Sequence, residues 1–123
     1  MTPSPQSELP PSCAPSGCQL AHKYVNVRNV KSVLMTFAGQ LGLAVLHLTG
    51  RPLVITAGYA DGCDLENEHA ASIAVDFSLV EHSRTQQQVI ALMAFDLSDK
   101  YHVCVGLRFD RTSRMLLHVS LRS

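Results

Sequence analysis

From residue 29 onward the apolar positions Val30, Val33, Leu34, Phe37, Leu41 and Val45 recur at helical spacing. The pattern predicts one amphipathic helix over 29–47, with Asn29 as its N-cap and Gly50 followed by Pro52 as its stop. Beyond Pro52, LVITAGYADGCD begins β-branched and then fills with glycine and aspartate turn signals, so a strand enters a loop. Residues 72–79 alternate, with Ile73, Val75, Phe77 and Leu79 on one face and Ala74, Asp76 and Ser78 on the other. Residues 85–97 read as a second helix that presents Val89, Leu92, Met93 and Leu97 to the core. Alternation returns over 101–109, DRTSR turns the chain, and 115–121 completes an antiparallel hairpin. The order describes an α+β domain, a small, mainly antiparallel sheet backed by two helices.

Composition sets the limits of that domain. All but one of the six prolines fall in residues 1–18, among Ser and Gly with little to bury, so 1–23 is expected to be a flexible arm and 24–123 the domain. A chain of 123 residues can bury a core without disulfides or a structural ion, so a metal here would be functional. Lys+Arg and Asp+Glu balance at 10 each, which gives no nucleic-acid footprint and no polybasic membrane patch. The longest apolar run, 41–48, is interrupted by Gly42 and His47 and falls far short of a membrane span. The start, MTPSPQSELPPS, lacks the basic and apolar regions of a signal peptide, so synthesis in a cytoplasm is expected. Cys13, Cys18, Cys63 and Cys104 have no zinc-finger spacing and are expected to be reduced, although Cys13 and Cys18 with His22 could clip the arm. Nothing in the sequence sets the oligomeric state.

Period two also assigns the polar face. Met115, Leu117, Val119 and Leu121 point to the core, as do Tyr101, Val103, Val105, Leu107 and Phe109. His118 then shares a face with Asp76, with His102 and Cys104 as possible neighbours. His69 precedes Asp76 by an odd number of residues and can join it only from a loop or turn. Such a face is either a polar surface turned to water or a metal site. Two imidazoles and one carboxylate would leave a fourth position open on Zn²⁺, the arrangement of catalytic zinc.

Three blocks carry a resemblance. Ile55-Thr56-Ala57-Gly58-Tyr59 comes first, His69 and Asp76 follow with Ala74 between them, and Val105-Gly106-Leu107 precedes Leu117-His118-Val119. In order and spacing these resemble the D-Ala-D-Ala carboxypeptidase and hedgehog-type zinc peptidase family over residues 29–122. The resemblance implies a hedgehog/DD-peptidase-like fold, with His69, Asp76 and His118 as zinc ligands and metal-bound water as nucleophile. The implied substrate is the peptidoglycan stem peptide, cut by a carboxypeptidase or endopeptidase. Short members without a signal peptide resemble phage endolysins, which implies release to the cell wall or carriage in a phage particle.

Departures from the pattern bear on activity. Ala60 stands where the family has an arginine, Ser72 where it has a glycine, and Asn67 where it has a serine that Asn can replace as a hydrogen-bond donor to substrate. The family's general-base acid, three residues before the last histidine, is Met115 here, and the acid after that histidine is Ser120. Losing a general base costs on the order of 10²–10⁴-fold in rate. Glu68, His102 and Asp110 are the substitutes on offer. The alternatives are a family member that keeps the metal without catalysis, as a binding or structural module, and an interaction domain in which these residues coincide by chance.

Overall fold

The described chain runs β1 (Cys18–Leu20), α1 (Ser32–Thr49), β2 (Leu53–Ala57), β3 (Ala74–Ser78), α2 (Arg84–Tyr101), β4 (Val103–Phe109) and β5 (Met115–Leu121). This is a computed structural model that describes residues 14–22, 25, 27, 30–58, 74–109 and 111–121. The strands form one sheet in the order β1-β2-β3-β5-β4. β1 pairs with β2 in parallel, and every other pairing is antiparallel. The protein is therefore an α+β fold, mostly antiparallel, with two helices, as the hydrophobic pattern predicts.

Alternation along the strands builds the core. Leu53, Ile55, Val75, Phe77, Val103, Leu117 and Val119 are buried and join Leu34, Phe37, Leu41 and Val45 of α1 and Ile90 and Ala94 of α2 in one cluster. Burying each large side chain of this kind contributes about 1.5–3 kcal/mol. Among the described residues, α1 is the one helix long and apolar enough to cross a membrane, with mean hydropathy 1.4. Its apolar stripe is instead packed on the sheet.

The helix ends differ from the sequence expectation. α1 starts at Ser32 with Lys31 as an N-cap that makes no side-chain bond, while Asn29 lies outside the described residues. Its stop is the expected one, Gly50 in the left-handed conformation with its N–H donating to the Leu46 carbonyl. α2 starts at a capping box. Gln86 N–H donates to Ser83 Oγ at 3.2 Å, and Ser83 N–H donates to Gln86 Oε1 at 3.1 Å. The buried stripe of α2 is Ile90, Ala91, Ala94 and Ser98, with Met93, Leu97 and Tyr101 half-buried against the core. Leu92, expected in the core, is 68% exposed. α2 meets α1 where Phe37 and Tyr101 pack edge to face at 6.1 Å. Leu107 and Phe109, also expected inside, are exposed beyond the cover of the helices.

β1 falls within the stretch that composition assigns to the arm. It is held by tertiary contact. Gly17, at φ +72°, rests against the backbone of Gly42 and Leu43, and a Cβ at Gly42 would lie 2.6 Å from both Cys18 Sγ and the Ser16 carbonyl oxygen. Two glycines thus let the N-terminal segment cross α1 at backbone contact and add a strand beside β2. Cys18 is a free thiol that donates to the Ala38 carbonyl at 3.3 Å. Burial pushes its pKa up to about 12, which disfavours the thiolate that a metal or a disulfide exchange would need. Cys13 lies outside the described residues, and His22 is exposed.

The crossing gives a test in which propensity and packing oppose each other. Helix propensity alone favours alanine over glycine by about 1 kcal/mol at either Gly39 or Gly42. A Cβ at Gly39 meets its nearest neighbour at 3.8 Å and fits. Gly39→Ala should raise the urea midpoint, and Gly42→Ala should lower it. A stabilised Gly42→Ala would show that the close crossing does not form.

Candidate functional site

Because Leu117 and Val119 face the core, His118 faces the other way, and Val75 and Phe77 turn Asp76 to the same side. The antiparallel register of β3 and β5 places Asp76 directly opposite His118. Their side chains meet, with His118 Nδ1 and Asp76 Oδ1 2.6 Å apart. The imidazole is 6% exposed and the carboxylate 17%. A carboxylate so far from water needs a hydrogen-bonding partner, and the cross-strand histidine supplies one.

Both flanks of the pair are shaped by the neighbouring strands. On the β4 side His118 pairs with Gly106, where a Cβ would meet no atom within 4 Å, so no side chain of that strand stands beside the pair. On the β2 side the register shifts between Ile55 and Ala57, which sets Ala57 opposite Asp76. The Thr56 hydroxyl donates to the Asp76 main-chain carbonyl at 3.4 Å, securing the strand at this irregularity. Ser78 and Ser120, on the same face, are also buried.

An imidazole nitrogen and a carboxylate oxygen held on adjacent strands are suitable zinc donors. No group of three His, Cys, Asp or Glu occurs among the described residues. His69, the expected third ligand, lies outside them, as do Asn67, Glu68 and Asp110. The 2.6 Å contact is shorter than the separation of two ligand atoms around a tetrahedral ion. Loading a metal on both atoms would therefore exchange this hydrogen bond for coordination, with the neutral ring carrying its proton on the other nitrogen.

The remaining candidates are dispersed. α2 extends to Tyr101, beyond the expected end at 97, so His102 is not in the strand. It is the exposed C-cap of α2, with φ 56° and its N–H donating to the Ser98 carbonyl. Cys104 is an exposed free thiol paired in register with Ser120.

His82 was not singled out by the sequence, since it stands alone between β3 and α2 without a motif. It is 4% exposed, and neither ring nitrogen makes a well-formed hydrogen bond, the Arg51 backbone being only a weak partner. Gln87 Nε2 donates to the carbonyls of Leu79 and His82, both at 2.9 Å, and ties α2 to this turn. Burial pushes the imidazole below its ordinary pKa. The Arg51 backbone and the Glu81 carboxylate pull upward without offsetting that, and the Arg51 charge adds to the lowering.

Comparison with known proteins adds no relative: no family model, no curated protein and no solved structure matches the chain.

The buried His82 predicts a pH dependence of stability. The unfolded chain binds a proton near pH 6.5 and the folded chain only at lower pH. Its contribution is therefore fully present above about pH 6.5 and is lost as pH falls toward the folded pKa. Urea midpoints between about pH 7.5 and 5 should fall less steeply in His82→Leu than in the parent chain. Equal slopes would mean that the ring is not buried as a neutral group.

Proposed function

We propose that this chain is a zinc-dependent peptidase acting on peptidoglycan stem peptides, with His69, Asp76 and His118 as the metal ligands. The observation that carries the reading is the register that sets Asp76 against His118 with their side-chain atoms 2.6 Å apart on the face away from the helices. The order and spacing of the three sequence blocks add to it. So does Gly106, which pairs with His118 and leaves the β4 side of the pair without a side chain.

In this reading the strands carry the ligands rigidly. Asp76 is fixed between Val75 and Phe77, which are anchored in the core, and His118 between Leu117 and Val119. The burial of the pair excludes water from the ligand atoms and strengthens their electrostatics. Bound zinc would supply Lewis-acid polarisation of the scissile carbonyl and a lowered pKa for water. Asn67 is the proposed hydrogen-bond donor to substrate. Glu68, His102 and Asp110 are the candidate proton acceptors, and of these His102 sits at a helix end outside the strand. The chain would meet its substrate after release to the wall or from a phage particle.

A second reading is supported by the residues around the pair. Among the described residues, Asp76 is the sole carboxylate on this sheet face, and Met115 stands where the resemblance places the base. A chain that keeps the metal without the base would serve as a binding or structural module.

Metal analysis and wall digestion separate the readings. After zinc reconstitution and dialysis the parent chain should retain about one ion, and His69→Ala, Asp76→Ala and His118→Ala should each lose it. Purified cell walls should lose turbidity and release D-alanine or new amino groups with the zinc-loaded chain. Zinc retention with intact walls would select the module, and a chain that retains no zinc would remove both readings.

A further inference from the structure

We propose that the chain forms a two-fold dimer by pairing β4 with β4 of a second copy. The two edges of the sheet differ in a way that points to this. The β1 edge is three residues long, whereas β4 has seven, pairs with β5 without a break at every position, and ends the sheet. Sheet edges are ordinarily blunted by brevity, proline, bulges or charge. β4, with sequence VCVGLRF, has no proline and one charge, Arg108. Among the described residues no strand pairs with its outer side.

Beside that edge lies an apolar surface. Leu92 and Phe95 of α2 and Leu107 and Phe109 of β4 are 68%, 44%, 44% and 66% exposed. They line a groove of about 750 Å³ between the helix and the β4–β5 hairpin, with Met115 at its base. At these exposures the four side chains leave roughly 400 Å² of apolar surface, about half of the ~800 Å² per partner in a stable interface. The seven-residue edge and the groove walls can supply the remainder.

A second copy is the occupant that matches both features together. Antiparallel pairing of two identical edges generates a two-fold axis normal to the sheet, so the interface is self-complementary and closed. That axis keeps both copies of α2 on the same side, where each apolar strip meets its equivalent. Centring the axis on Gly106, the middle of β4, sets Arg108 opposite the partner's Cys104, so the arginines do not collide. The polar faces of both sheets then open on the other side of one ten-stranded sheet.

Light scattering after gel filtration should report twice the 13.4 kDa chain mass at about 50 µM, above the dissociation constant of a typical specific pair. Phe109→Asp and Leu92→Asp should each return the monomer mass with unchanged far-ultraviolet circular dichroism. Amide exchange in β4 should be slower in the parent than in these variants. A parent monomer at that concentration would overturn the proposal. So would a dimer that survives both substitutions, or β4 amides protected only when an extended apolar peptide is added.

Discussion

The register of β5 against β3 fixes both what the domain buries and what it displays. With Leu117 opposite Phe77 and Val119 opposite Val75, the apolar side chains of both strands enter the core. The same alignment puts His118 opposite Asp76 on the reverse face. A slip of β5 by one residue would send His118 into a cluster of Leu, Val and Phe, bring Leu117 and Val119 out, and leave Asp76 without its partner. Burial energy thus selects the polar pair as firmly as the pair's own contact does. β5 also carries the register to β4, which leaves Gly106 beside the imidazole.

Much of this was readable from alternation and helical spacing. The α1 stripe, the faces of β3 and β5 and the shared side of Asp76 and His118 follow from periodicity, because each segment buries one regular face. What was not readable depends on long-range packing. β1 is three residues in a proline-rich stretch, and its existence rests on Gly17 meeting Gly42 across α1. Leu92 and Phe109 are as apolar as core residues, yet among the described residues no element covers them. The buried stripe of α2 runs through Ala91, Ala94 and Ser98, small residues that carry little hydrophobic signal. His102 was misplaced because the helix runs on and ends in a left-handed cap.

His118 and His82 show how burial alone does not define a site. Both rings are nearly inaccessible. One is joined to a carboxylate on a facing strand, whereas the other makes no well-formed hydrogen bond. Among the described residues, the ring nitrogens of His82 are the buried side-chain atoms without a well-formed hydrogen bond, and a buried polar atom so placed costs roughly 1–3 kcal/mol.

The central position of β5 also bears on how the protein is made. Of the five strands it is the last in chain order, yet it lies between β3 and β4 and supplies the pairing surface for both. A ribosome that has delivered everything through β4 has delivered a sheet with its middle missing, and the apolar faces of β3 and β4 have no strand to join them. Acquisition of structure is therefore a late event, governed by closure of the 42-residue separation between Asp76 and His118. Until that strand emerges, the nascent chain carries exposed hydrophobic surface of the kind that chaperones hold.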